Sequence, residues 1–328
     1  MSKTIETVNS EIAAKGIKST VKRARQQRVY KANEIVQSKR FELSTQEQKI
    51  IAYMVSLIKK GQENLEFVDA SINDLCLLMG IEPGNGKNTQ SLKEAIRKLA
   101  NKSEWAEVYK DGERCETLVR WIEKPTFFYR SGIVRLKLDE YLKPYLIGLE
   151  NKYTQYELEN ILAMQSKYGI RLFELCKSFE SQGYFEKTLE ELRIIFAVTG
   201  YKRWIDFKRN VLDMAVSEIN RLTDISVFWK AKVKGKQTHS IIFCVREKTG
   251  QEQFKEVRDQ RNKLLDKYLN IDEMQQITFD DVAIKDSTLD DFHDFYADAL
   301  PLTETEKHAV SKMFGEIEEK KVAGKKAK

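Results

Sequence analysis

At 328 residues, with 41% hydrophobic and 32% charged side chains, the chain is long enough for two domains with separate cores and too apolar for a disordered segment. Its richest apolar runs, RIIFAV and SIIFCV, fall far short of the ~20 residues of a membrane span, and the opening MSKTIETVNSEIAAKG lacks the apolar stretch of a secretory signal. The net charge of +6 is uneven: residues 1–40 hold ten Lys/Arg against three Glu, residues 201–246 ten against four acids, and residues 247–328 fourteen against nineteen acids.

Residues 1–28 are polar, basic and aperiodic, which predicts a flexible arm. A helix follows in STQEQKIIAYMVSLIKK, opened by the capping-box pair Ser44 and Glu47 and carrying Ile50, Ile51, Met54, Leu57 and Ile58 on one face. LEFVDA alternates like a strand, and SINDLCLLMG repeats the box with Ser71 and Asp74 before stopping at Gly80. The polar loop IEPGNGKN leads into the helix TQSLKEAIRKLANKS. Two hairpins come next, one turning at Asp111-Gly112 and one at Ser131-Gly132.

The second half runs the same programme. YELENILAMQSKYGIRLFELCKSF has the spacing of one long amphipathic helix, TLEELRIIFAV is boxed by Thr188 and Glu191, YKRWIDFKRNVLDMAVSEIN is a third helix, and ISVFWKAKVKGKQTHSIIFCVRE folds back at Gly235. Ser71, Ile72, Asp74 and Leu75 match Thr188, Leu189, Glu191 and Leu192. Leu92, Ala95, Ile96 and Leu99 match Leu212, Ala215, Val216 and Ile219. The expectation is an α+β protein, mainly helical, of two tandem winged helix-turn-helix domains with β-hairpin wings, at 29–138 and 139–247. An acidic, partly helical tail occupies 248–328.

Familiar catalytic and ligand-binding patterns are missing. GNGKNT (84–89) departs from a phosphate loop, having Ile81 where Gly is required and Asn88 where Ser/Thr is required. His239, His293 and His308 are too far apart for HxH or HExxH, which argues against a metal-dependent nicking enzyme. Cys76, Cys115, Cys176 and Cys244 lack CxxC spacing and fit reduced core thiols of a soluble cytoplasmic protein. No catalytic centre, metal site or cofactor is expected.

The cations of 201–236 point elsewhere. Lys202, Arg203, Lys208 and Arg209 crowd the start of a helix, where the dipole disfavours positive charge unless an anion lies opposite. Lys230, Lys232 and Lys234 alternate along the following strand and so share one face, opposite Trp229, Ala231 and Val233, with Lys236 at the tip. A helix end in a groove and a ribbon on the flanking phosphates account for both, so double-stranded DNA is the expected partner. A solvated surface is the plainer account, and an ideal wheel sets Lys208 near the apolar stripe. In the first unit Lys93, Arg97 and Lys98 suit either DNA or a dimer interface.

Taken together the sequence resembles the replication initiator (Rep) proteins of iteron-containing theta-replicating plasmids. The likeness is carried by YKANEIVQSKRFELSTQEQKIIAYMVS (Asn33, Ile35 to Ser38, Leu43-Ser44, Glu47 to Lys49) and by YKRWIDFKRNVLDMAVSEIN (Asp206 to Arg209, Val211-Leu212, Glu218 to Asn220). The resemblance implies a second domain that grips repeated origin sequences through Arg203, Lys208, Arg209 and the wing lysines. It also implies a first domain that touches DNA in the monomer and dimerises in the repressor form, homodimer and monomer being in equilibrium. Host initiator and replicative helicase are the further partners it implies, with no membrane. The alternatives are a two-domain repressor on an inverted repeat and, from another class, a nicking Rep enzyme.

Overall fold

The computed structural model describes residues 27–37, 42–83, 86–110, 113–234 and 237–248. Residues 1–26 of the arm expected over 1–28, the tail beyond 248, the expected turn residues Asp111, Gly112 and Gly235, and Lys236 lie outside the described residues. β1 (Arg28–Ala32) and α1 (Asn33–Gln37) lead to α2 (Thr45–Ser56), where Ser44 caps the helix and Glu47 returns a bond to the Ser44 backbone N–H. β2 (Val68–Ser71), α3 (Ile72–Met79) and α4 (Gly86–Asn101) follow. Ser71 accepts from the Asp74 N–H, and Gly80 ends α3 with a left-handed φ of 73°. Only that half of the second expected box is formed.

Two hairpins come next, β3 (Ser103–Lys110) with β4 (Glu113–Arg120), and β5 (Ile122–Phe128) with β6 (Ile133–Leu138). Only the second joins β2, in the order β2-β6-β5, so it is the wing of this unit and β3–β4 is an additional ribbon. The turn at 129–132 closes through the Gly132 N–H on the Phe128 carbonyl, with Gly132 at φ 68°.

A 3₁₀ turn and the short α5 (Lys143–Leu146) precede β7 (Tyr153–Glu157), α6 (Leu158–Ala163) and α7 (Lys167–Ser178). The long helix expected over this stretch is therefore three elements. β7 pairs with β1 along its whole length, and Met164 is extended before Ser166 caps α7. The strand pair bridges the two expected units. Behind it the Lys31 ammonium donates to Glu174 at 2.5 Å and the Tyr156 hydroxyl donates to the same oxygen at 2.6 Å, so the buried charge has partners.

The second unit then repeats the first: β8 (Tyr184–Thr188), α8 (Leu189–Ile195), α9 (Trp204–Phe207), a π turn (Lys208–Asp213), α10 (Met214–Leu222), and the ribbon of β9 (Ile225–Lys234) and β10 (Gln237–Glu247), in the order β8-β10-β9. Thr188 and Glu191 form the complete box. The matched apolar residues of α4 and of the π turn and α10 are all buried. Among the described residues one apolar cluster runs from Val29 through both units to Val245, and a small second cluster holds Ile242 and Cys244 on the other face of β10. No helix of the described residues is long and apolar enough to cross a membrane.

Candidate nucleic-acid interface

The interface is built from the turn after α8 outward. Arg193, in the last turn of α8, donates to the carbonyl oxygens of Tyr201 and of Lys202 (2.9 Å to the latter) while its guanidinium lies 5.0 Å over the Phe207 ring. One side chain thus fixes the entry to α9. Phe207 on α9, Val211 and Leu212 on the π turn, and Ala215, Val216 and Ile219 on α10 bury the inner face of this segment.

Its outer face carries the cations, each with a distinct environment. Arg203 is the N-cap residue, is 77% exposed, and makes a bidentate pair with Asp206 at 2.7 and 3.0 Å. The Arg203 guanidinium holds the Asp206 carboxyl below the usual carboxylate range, and Asp206 in turn raises Arg203. Lys208 donates to Asp213 at 2.7 Å, five residues on, and sits 5.6 Å over the Trp229 ring. Residues five apart do not meet on an α-helix; they meet here because the π turn closes i→i+5. The widened turn also resolves the position of Lys208: its ammonium lies between the Trp229 ring and Asp213. Lys202 and Arg209 are exposed, and the charge of Arg209 adds to the lowering of Asp206. Ile205, four residues before Arg209 on the same face, is 57% exposed.

On the ribbon, Trp229 faces the helix, meeting Trp204 edge-on at 6.1 Å. Lys230, Lys232 and Lys234 therefore occupy the opposite face, and Lys232 lies 3.7 Å from Glu186 of β8. Helix cations and ribbon cations are brought onto one winged unit but onto two sides of its sheet. In the first unit Lys93 and Arg97 lean together on the wing: Lys93 lies 5.4 Å over Tyr129, and Arg97 lies 5.2 Å over Phe127 and donates to the Tyr129 hydroxyl at 3.4 Å. Lys98 is exposed on the next position. Among the described residues no three His, Cys, Asp or Glu side chains converge as a metal site would require, and the four thiols are free.

Two family descriptions match this geometry segment by segment: "Initiator Replication protein, WH1" over residues 28–177 and "Initiator Rep protein, WH2" over 188–245. The chain belongs to the initiator Rep protein family. Its architecture is accordingly two tandem winged-helix domains. A "Replication initiation protein" of Escherichia coli is 24% identical over 227 residues, covering 66% of this chain and 69% of that protein. A "PI protein" of Escherichia coli is 30% identical over 126 residues, 33% of this chain. An "Uncharacterized 27.6 kDa protein" of the same organism is 28% identical over 124 residues, 37% of this chain. The chain spans 40% and 52% of the lengths of these last two.

Several residues of 201–220 hold the interface together rather than face outward. Asn220 clamps β9, donating to the Val227 carbonyl at 2.9 Å and accepting the Val227 N–H at 2.7 Å. Glu218 accepts the backbone N–H groups of Gln165 and Ser166, at 2.5 and 3.0 Å, and so ties the helix to the start of α7. Arg193 and Ile205 escaped notice in the sequence, the first because its partners are carbonyls, the second because an isolated Ile gives no signal of exposure.

Proposed function

We propose that this chain is a sequence-specific DNA-binding initiator that binds direct repeats at an origin, starts its opening, and represses its own gene as a dimer. The observation that carries the proposal is the exposed face running from Lys202 through α9 into the π turn, where Lys202, Ile205 and Arg209 point to solvent at the end of the helix-turn-helix. In a major groove Arg209 suits a guanine edge and Ile205 a thymine methyl. Arg203, already squared up by Asp206, suits a flanking phosphate, and Lys208 at the seam holds the helix to the ribbon. Lys230, Lys232, Lys234 and Lys236 serve as phosphate contacts that position without specifying. In the first unit Lys93, Arg97 and Lys98 form the second DNA contact of the monomer, and the same surface serves the dimer. The family resemblance supports assembly with the host initiator and replicative helicase as a further part of this reading.

The test is binding of the purified chain to the DNA flanking its own gene, by footprint and by anisotropy. Protection of tandem repeats of about twenty base pairs is expected, in place of one inverted repeat. Arg209→Ala is expected to cost on the order of 1–3 kcal/mol on the repeat and little on random duplex. Lys232→Ala is expected to weaken both alike and to reduce the logarithmic salt slope by about 0.9. Equal losses on both DNAs for both variants would remove the helix from the groove.

A further inference from the structure

The outer faces of the two wing sheets sit at matching positions and differ in chemistry. Superposing Ser71 on Thr188 by register sets Arg135 against Ile242, Lys137 against Cys244, and Glu123 against Phe228. In the first sheet those residues make solvated ion pairs, Arg135 with Asp69 at 2.7 Å and Lys137 with Glu140 at 2.7 Å. In the second sheet Ile242 is 1% and Cys244 2% exposed, yet the described apolar side chains packed on them are only the half-buried Tyr184 and Phe228. On the same face the Arg246 guanidinium lies 6.0 Å over the Phe228 ring, so this is a small apolar patch edged by cations. Lys230, Lys232 and Lys234 border the patch on β9.

We propose that residues 289–300 of the same chain, LDDFHDFYADAL, dock on this face and mask the ribbon lysines. Leu289, Phe292, Tyr296 and Leu300 recur at helical spacing, a stripe matched to Tyr184, Phe228, Ile242 and Cys244. Asp290, Asp291, Asp294 and Asp298 flank that stripe, and residues 272–306 hold eleven Asp/Glu against the single Lys285, a net of −10. Such charge complements the lysine border. The nearer stretch 251–270 has five cations against four acids and offers no complement, and a second copy would set lysine against lysine. Some forty residues separate Lys248 from Leu289, ample tether to reach the sheet at millimolar effective concentration. Because it resides on the lysines assigned to phosphate, the masking role rests on the DNA-binding proposal, and the docked segment lowers affinity for duplex until DNA displaces it.

Cys244 reports the docking without DNA. In the full chain carrying Cys115→Ser, the remaining described thiols are buried, and burial pushes the Cys244 thiol up to about 11. Alkylation of Cys244 should be slow, should quicken by about tenfold or more in Phe292→Asp/Tyr296→Asp, and should slow again when a peptide of residues 286–302 is added. The same double variant should bind random duplex several-fold more tightly and with a steeper salt dependence. Unchanged alkylation in that variant, release by Phe254→Asp/Leu265→Asp instead, or protection that fades on dilution as a second copy would make it, would each overturn the docking. Faster alkylation with no gain in affinity would overturn the masking. Failure of both intact and altered chains to bind any duplex would strike the initiator proposal and the masking with it, and leave the docking standing, since alkylation needs no DNA.

Discussion

Glu218 shows how much one buried side chain decides. It lies on α10, and its carboxylate satisfies the N–H groups of Gln165 and Ser166 at the break between α6 and α7. Burial raises its pKa, while those backbone donors and the charge of Lys49 pull it down. Gly169, in the first turn of α7, leaves room for it: a Cβ there would collide with Glu218 Oε2 and lie 3.0 Å from Met164 Cε. Ala normally outperforms Gly inside a helix by about 1 kcal/mol. Here Gly169→Ala is expected to destabilise by about 1–3 kcal/mol, because the carboxylate must leave donors that have no substitute. A urea midpoint that rises instead would mean the carboxylate is not held there. The sequence showed neither partner, since Glu218 and Gln165 stand 53 positions apart.

At the scale of elements, what was legible followed interaction range. Boxes at Ser44/Glu47 and Thr188/Glu191 join residues three apart, and both are formed. The hairpin turn at 131–132 was equally local and is formed, and the strands flanking the expected turn at 111–112, itself outside the described residues, pair. The break in the expected helix over 156–179 was not legible: Tyr156 and Glu157 pair with Val29 and Arg28, so a distant strand overrides helical spacing. Nor did the spacing announce the π turn, which Lys208 and Asp213 occupy as a pair. Two outcomes test these elements. Thr188→Ala should cost about 1 kcal/mol, read as a lower melting temperature with α8 exchanging its amides first. Asn220→Ala, which strands both polar groups of Val227 in the core, should cost on the order of 2–4 kcal/mol; a loss below that of Thr188→Ala would mean β9 is held by its ladder alone.

Across the whole molecule, Lys49 joins the halves. It sits on α2, 2% exposed, within the field of Glu218 on α10, and burial lowers its pKa from the usual 10.5 to about 8. The folded protein therefore sheds this proton first. Below pH 8 both states hold it and the penalty for the buried charge is complete; between about 8 and 10.5 the unfolded chain binds more protons and stability rises with pH. The contribution is on the order of 3 kcal/mol at most. Comparison with Lys49→Met isolates it: the variant should be the more stable at pH 7, and the gap should close by pH 10. A gap independent of pH would place the ammonium in water.

By itself the sequence determined what repeats locally: capped helices, ribbons, the twofold programme, and a basic stretch after Thr188, because caps, turns and amphipathic spacing involve neighbours a few residues apart. Only the tertiary structure decided which cations stand free, which side of the ribbon the lysines take relative to Trp229, and which acids hold the frame. Those depend on contacts between residues tens of positions apart, where burial and pairing, rather than residue type, set the role of each charge.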